Sequence, residues 1–556
     1  MINRFRGALC ASLFFCGSAF ATEPLVGLAW TTSQELTEIA NLRGSVRYVA
    51  RGIAFVTAQE QNVGGFEVLC IDQAAVGDRY FIADHLSLPL PAGVELVFDG
   101  GGEWVLLRVP EGRLGSLYGA THFLWPLPDN YSINGWLGNS ERAPKALQTV
   151  SPAVASLIAG ADAARLQADV EALALKDPAL GSVEGNIRSR FAVHPEFLES
   201  TQYIQSQLSA ALGAEAVELH PFSIGAQRVV SYASRRGNQA AAPVDTMTHN
   251  VIGTLAGTDP GAGYYIICAH YDATGVRSAG GWAWDSDPAP GADDNASGVA
   301  LVLESARLLA GQRFPWSIRF IAWSGEELGL LGSQAYADIA ADRDDNILGV
   351  LNFDMIGFNN LKQRLELVTN PGSRWLVDEM SAVAERYSIE LAVDVLEDGG
   401  ARLSDHAPFW ARGYDGILGI ENYLPTDATT YGVREGMYQV NSQYHSVVDV
   451  PDSINWALVR STTQLAVATL AQYGLGEGQP NLAVFTGDLR GDRNDDLRVR
   501  VSNIGLSTVA AGFRVRVSHC AADSSGCEVI YDAEDSEELV PGSGADLSIP
   551  WQRFGE

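Results

Sequence analysis

Four short clusters of acidic residues and histidine between Ile266 and Asp354 are of a kind that does chemistry. His270-Tyr271-Asp272 closes the apolar run from Tyr264 to Ala269. Asp293-Asp294-Asn295 follows Pro290-Gly291 and precedes Val299, Val302, Leu303, Ala306 and Leu309 at helical spacing. Glu326-Glu327 follows the strand-like Ile318 to Trp323 and opens another helical pattern, and Asp354 ends the run Leu348 to Phe353. Apolar runs of that length, bounded by polar residues, read as buried strands. Open α/β sheets bind their ligands beyond the carboxyl ends of the strands, so these four clusters are placed to converge on one pocket. Carboxylates gathered away from water need protons or a cation. The basic residues between His270 and Glu327 are Arg277, Arg307, Arg313 and Arg319, and Arg307 and Arg313 fall in or after the helix. A metal is the economical counter-charge, and mixed histidine and carboxylate ligation suits zinc.

The elements that must position these groups run from about residue 151 to 475. An alanine-rich helical stretch from Ser151, a helix over Phe197 to Leu212 and a strand over Asn250 to Leu255 lead into the central motifs. Strands and helices alternate beyond them, and a helix after Pro451-Asp452-Ser453 runs through Leu458, Leu465 and Leu470 to Gly474. Repeated β-α order predicts a layered α/β domain.

The flanks differ in character. At 556 residues the chain exceeds one hydrophobic core. Met1 to Ala21 carries Arg4 and Arg6, a short apolar run and the small-x-small ending Ala19-Phe20-Ala21, which predicts a signal peptide cleaved after Ala21 and a secreted or periplasmic product. Residues 22–150 hold short strand-like runs, among them Val46 to Val49, Ile53 to Val56, Phe66 to Ile71, Val94 to Phe98 and Trp104 to Leu107. They predict a β-rich domain, propeptide or accessory, in which His85 and His122 stand isolated. Gly474 to Pro480 is a linker by composition, and residues 476–556 alternate in the manner of a small β-sandwich. Cys520 and Cys527 are close enough in sequence to pair in an oxidising compartment, whereas Cys70 and Cys268 lie in apolar strand patterns and read as buried thiols. A formal net charge of −30 argues against nucleic acid as a partner. No run after the signal is long and apolar enough to span a bilayer.

The strings His270-Tyr271-Asp272, Gly291 to Gly298, Glu326 to Ser333, Phe353-Asp354-Met355, Ser404-Asp405-His406 and Tyr444-His445-Ser446 together resemble the secreted two-zinc aminopeptidases, a family of the clan MH metallopeptidases. Six motifs in the family's order are far more specific than any one of them. The resemblance implies an α/β fold, a three-layer zinc-exopeptidase domain around a central mixed β-sheet. It implies that Asp294 bridges two zinc ions, that His270 and Asp354 complete one and Glu327 and His445 the other. It further implies Glu326 as general base, Asp272 orienting His270 from behind, and Tyr444 donating to a developing oxyanion. Ser404-Asp405-His406 is expected to shape the pocket and cap the helix beginning at Ala407, with Asp405 behind the ligands.

The leading expectation is release of N-terminal residues from peptides or proteins, with the free amine held by acidic groups near Glu326 and Asp354. A carboxypeptidase of the same broad family would want a basic pocket, for which Arg402 is the nearby candidate. Glutaminyl cyclisation fits the Asp-Asp-Asn and Tyr-His motifs less well. A binding protein that has lost catalysis would lack ligands, and none is missing from the sequence. Trp282, Trp284 and Tyr431 are candidates for a rim that favours apolar side chains, although core packing explains them equally well.

Overall fold

The computed structural model describes residues 150–174, 187–226, 244–423 and 441–472 almost throughout, and parts of 24–132 and 482–550. The signal segment, His85, His122, Tyr431, the 474–480 linker and the Cys520/Cys527 pair lie outside the described residues. The chain divides into two compact units: residues 1–137 with 224–246 and 411–413, and the remainder.

The first unit is built from two four-stranded antiparallel sheets. Strands β1 (Leu25–Ala29), β2 (Gly44–Ala50), β3 (Ile53–Ala58) and β4 (Val68–Asp72) pair in the order β2-β3-β1-β4. Strands β5 (Arg79–Ala83), β6 (Glu95–Asp99), β7 (Val105–Val109) and β8 (Leu124–Pro126) pair as β6-β7-β5-β8. Side chains from both sheets share one core, in which Tyr48 and Phe55 meet the Trp104 ring edge-on at 6.0 and 6.1 Å. Helix α1 (Ser33–Ala40), held by a Thr32/Glu35 capping box, lays Leu36 and Ile39 on Val26 and Leu28 of β1. Cys70 is half-buried here, not fully buried as its apolar strand suggested.

The second unit is layered around an eight-stranded sheet. Its strands are β9 (Val217–Ile224), β10 (Thr246–Leu255), β11 (Tyr264–His270), β12 (Ser317–Trp323), β13 (Ile347–Phe353), β14 (Arg364–Thr369), β15 (Ala392–Glu397) and β16 (Gly416–Ile420). They lie in the order β15-β14-β16-β13-β11-β12-β10-β9. Strands β11, β12, β13 and β16 run parallel, β10 and β14 run against them, and the sheet is therefore mixed. Every residue of β11 and of β13 is buried. Burial on both faces is why these strands read as unbroken apolar runs rather than alternating ones.

Helices cover both faces. Helices α2 (Pro152–Ala159), α3 (Ala163–Leu173), α4 (Phe197–Leu212) and α5 (Ser297–Leu309) form one group, with α5 against β11 and β12. On the opposite face, α6 (Leu331–Asp342) packs Tyr336, Ala337 and Ala340 onto Ile266, Cys268, Ile321, Trp323 and Val350. Helix α7 (Arg374–Arg386) lies against β14 to β16, α8 (Ala407–Ala411) adds Phe409 to the α6 face, and α9 (Trp456–Ala471) joins the α5 group. Each fully buried Ile or Leu of these layers contributes about 1.5–3 kcal/mol, so the sheet is a rigid base for whatever its strand ends carry.

Beyond α9, β17 (Leu482–Ala483), β18 (Leu489–Gly491), β19 (Asp496–Asn503) and β22 (Gly544–Pro550) form one sheet, and β20 (Arg514–His519) and β21 (Glu528–Glu534) a second. Val499, Val501 and Ile549 of the first pack with Phe513, Val515, Val517 and Tyr531 of the second side, a small sandwich. Among the described residues no helix is long and apolar enough to cross a membrane.

Candidate metal centre

Three neighbouring parallel strands, β12, β11 and β13, end at the same edge of the sheet. Register pairs His270 with Trp323 and Cys268 with Asn352, so His270 and Asp354, each two residues past the second pair, arrive side by side. Their side chains meet, with His270 Nε2 3.2 Å from Asp354 Oδ1. Asp294 comes from the turn before α5. Gly291, at φ +54°, makes that turn possible, because a Cβ there would sit 2.1 Å from the Asp294 carbonyl oxygen. The Asp294-Asn295 peptide is cis.

Asp294 faces two ways. Its Oδ1 lies 3.2 Å from His270 Nε2, and its Oδ2 lies 3.1 Å from His445 Nε2. His445 Nε2 is also 2.9 Å from Glu327 Oε2. The result is two triads, His270/Asp294/Asp354 and Asp294/Glu327/His445, joined through the two oxygens of one carboxylate. Tetrahedral zinc with bonds of about 2.0–2.1 Å separates its donors by roughly 3.3 Å, close to the spacings found. Buried Glu327 Oε1 has no hydrogen-bond donor of its own. Burial pushes the Glu327 carboxyl up to about 7. Burial likewise disfavours charged Asp294, but hydrogen bonds from His270 and His445 hold it below the usual carboxylate range. Burial disfavours both imidazolium forms as well, yet the carboxylates beside them raise His270 well above its ordinary value and His445 to about 9. Donor type, spacing and surplus negative charge all fit a pair of cations, and zinc among them.

The groups behind the triads are arranged differently from the sequence-based expectation. Asp272 was expected to orient His270. Its carboxylate instead accepts the backbone N–H groups of Glu326 at 3.0 Å and Glu327 at 3.2 Å, while His270 Nδ1 faces the Asp272 backbone oxygen at 3.1 Å and its carboxylate only at 3.8 Å. Glu326-Glu327 lie in a turn ahead of α6, which starts only at Leu331. Glu327 is buried toward His445, whereas Glu326 is part-exposed. Burial, together with the neighbouring Glu327, Asp405 and Asp354 charges, raises the Glu326 carboxyl well above its usual range against the pull of His270.

Asp293 is wholly buried and accepts from Gly357 N–H at 2.9 Å and Asn441 Nδ2 at 2.6 Å. The Asn295 side chain accepts from Gly298 N–H in the first turn of α5 at 3.0 Å. Ser404 donates to Asp354 Oδ2 at 2.6 Å and accepts from Asn352 Nδ2 at 2.8 Å, so it steadies a triad member directly. Asp405, buried with its carboxyl pushed up to about 7 by burial, accepts from Ser333 Oγ. His406 turns its Nε2 to the Ala401 carbonyl at 3.2 Å and meets the Trp410 ring edge-on.

Tyr444 stacks on His445 with ring centroids 3.6 Å apart, and the Arg277 guanidinium carbon lies 4.6 Å from the Tyr444 ring centroid. His445 has φ +57°, and its carbonyl accepts from Arg277 N–H at 2.8 Å. Trp282 and Trp284 are buried against Phe191, the first edge-on at 5.1 Å, so they pack the loop rather than rim a pocket.

Three contributors carried no sequence signal. Arg190 is fully buried and donates to the carbonyls of Tyr271, Leu173, Pro290 and Gly291; burial draws it down to about 10 although Asp449, Asp294, Asp272 and Glu327 lie nearby. Asp449 accepts from the N–H groups of Asp293 at 3.0 Å and Asp294 at 3.1 Å. Glu421 reaches Asp293 and accepts from Phe358 N–H. Arg307 and Arg319 turn away, to Asp169 and Glu304 and to Tyr264 and Tyr336 respectively.

Residues 250–470 match the family model described as Peptidase family M28. The chain is 31% identical over 209 residues to a "Probable zinc metalloprotease" of Pyrenophora tritici-repentis, spanning 32% of this chain and 47% of that relative. It is 31% identical over 202 residues to aminopeptidase YwaD of Bacillus subtilis, spanning 35% and 41%. The chain thus spans less than half the length of these relatives. LapB from Legionella pneumophila superposes with a TM-score of 0.48 at 19% identity, over 72% of this chain and 100% of that one.

Proposed function

We propose, from the match of residues 250–470 to Peptidase family M28, that the chain is a secreted aminopeptidase of clan MH holding two zinc ions. The observation that carries this reading is the sharing of Asp294 by two histidine-carboxylate triads, with a part-exposed glutamate beside them. His270, Asp294 and Asp354 would hold one ion, and Asp294, Glu327 and His445 the other. Zinc supplies Lewis acidity, polarising a peptide carbonyl and acidifying water.

The chain's own groups do the rest. Glu326 takes the proton from the attacking water and returns it to the departing amine. Its raised carboxyl suits both transfers, and Asp272 fixes its backbone. Tyr444 offers its hydroxyl to the developing oxyanion, a role whose loss elsewhere costs about 3–4 kcal/mol. The acidic groups near Glu326 and Asp354 receive the substrate's free amine.

The test uses full-length protein, zinc-loaded and chelated, on leucyl-p-nitroanilide, free dipeptides and their N-acetylated forms. Zinc-dependent release from free N-termini alone, reduced by about 10²–10⁴ in Glu326→Gln with both ions retained, is expected. Turnover of the N-acetylated dipeptides at equal rate would instead make the chain a carboxypeptidase, a reading that the exposed Arg277 at the centre's edge keeps alive. Export is tested by sequencing the mature N-terminus, expected to begin after Ala21.

A further inference from the structure

The neighbourhood of the two triads is overwhelmingly acidic, yet one exposed cation stands at its edge. Arg277 reaches it from the loop after β11. Its backbone is fixed by the N–H bond to the His445 carbonyl, and the same loop is fastened again by Val447 N–H to Ser278 Oγ at 3.0 Å. The guanidinium itself makes no ion pair or hydrogen bond among the described residues; its contact is with the Tyr444 ring. That leaves all five N–H donors available to a visitor, on a side chain held in place by its backbone and by one aromatic face.

Position restricts what the visitor is. The 3.6 Å between the His445 and Tyr444 rings and the 4.6 Å from Tyr444 to the guanidinium carbon keep that carbon within about 8 Å of the His445 imidazole. An extended peptide advances by at most about 3.3–3.6 Å per residue. A group one or two residues beyond a bond cleaved at the triads therefore reaches the guanidinium. The amine end of the substrate is drawn to the acidic groups and repelled by this cation, so the end that approaches Arg277 is the leaving-group end. A planar fork of donors is complementary to a carboxylate.

We propose that Arg277 is a specificity-determining residue that binds a carboxylate one or two residues past the scissile bond, so that the site favours short peptides. The inference rests on the reading of the centre as a peptidase. The carboxylate is either the C-terminus of a di- or tripeptide or an Asp or Glu side chain, and amidated substrates separate the two.

The experiment compares kcat/KM for Leu-Gly, Leu-glycinamide and Leu-glutamyl-amide in zinc-loaded full-length protein and in Arg277→Gln and Arg277→Glu. The Leu-Gly over Leu-glycinamide preference is expected to exceed one, to fall roughly two- to fivefold in Arg277→Gln, as for one exposed charged contact, and to invert in Arg277→Glu. A matching preference for Leu-glutamyl-amide extends the site to side-chain carboxylates, and its absence confines it to C-termini. In parallel, calorimetry of Leu-Gly and Leu-glycinamide binding to Glu326→Gln, with and without Arg277→Gln, reads the same contact without turnover. Equal preference in wild type and variant by both readouts overturns the proposal. An equal loss on every substrate also overturns it, because Arg277 would then be positioning Tyr444. Absent turnover of any peptide refutes the peptidase reading instead, and the calorimetric ratio still decides whether Arg277 selects a carboxylate.

Discussion

Asp294→Ala offers the sharpest test of the shared carboxylate. The substitution removes Oδ1 from His270 and Oδ2 from His445 together, leaving two donor pairs, His270/Asp354 and Glu327/His445. Four-ligand zinc sites bind with about 10–16 kcal/mol, so one donor accounts for roughly 3 kcal/mol, on the order of a hundredfold in affinity. Both ions should therefore weaken by about that factor in a single variant. Single changes on either side behave otherwise: His445→Ala spares His270/Asp294/Asp354, and His270→Ala spares Asp294/Glu327/His445, so each should keep one tightly held zinc. Metal content after dialysis against a zinc buffer, with circular dichroism to check the fold, reads the result directly. Expected values are two ions for wild type, one for each histidine variant and none for Asp294→Ala at a free zinc level that just saturates wild type. One ion retained by Asp294→Ala, or both lost from His445→Ala, would refute the reasoning that Asp294 serves two centres.

Replacing Arg190 by Lys should lower the urea midpoint by an amount equivalent to about 2–4 kcal/mol, because an ammonium has three donors for four buried carbonyls and cannot reproduce the planar fork; a loss below about 0.5 kcal/mol would contradict the buried network. Burial pulls the His406 imidazole down to about 3, so below its unfolded value of about 6.5 the unfolded chain binds a proton that the folded chain refuses. Its contribution is fully present above pH 6.5 and is lost toward pH 3 at up to about 1.4 kcal/mol per pH unit. His406→Gln should therefore show a shallower fall in stability between pH 6.5 and 4.5 than wild type, measured by urea unfolding at each pH; parallel curves would contradict the assignment.

What the sequence disclosed and what it hid follow from how far each side chain reaches. His270, Asp354 and Glu326-Glu327 were legible because a strand buried on both faces leaves an unbroken apolar run, and the first polar residues after it must lie at its end. The central strands accordingly begin and end within a few residues of the expected bounds. His445 sits in no such run; its loop is held by contacts to Arg277 and Ser278 that have no local signature, and only the order of motifs pointed to it. Arg190 was invisible for the same reason, since its four acceptors come from three distant segments. Either Asp293 or Asn295 could bond the first turn of the helix, and Gly357 and Asn441, far along the chain, occupy the Asp293 carboxylate so that Asn295 does so. The tryptophans of the 273–290 loop looked like rim residues and proved to be its core, an ambiguity inherent in large aromatic side chains in glycine-rich loops.

The adjacency of Glu326 and Glu327 acquires a physical reason from Asp272. Consecutive residues in a tight turn send their side chains apart, so one is directed to His445 while its neighbour stays at the accessible side. Because Asp272 accepts both of their backbone N–H groups, neither peptide unit can rotate without leaving a buried carboxylate unpaired. The proposed ligand Glu327 and the proposed general base Glu326 are thereby held in one frame, and that frame is anchored two residues past His270, itself a triad member. Under those proposed roles, ligand placement and base placement are not independent variables in this centre. That coupling explains why a carboxylate 3.8 Å from the His270 ring is better understood through the peptide groups it binds than through the imidazole it adjoins.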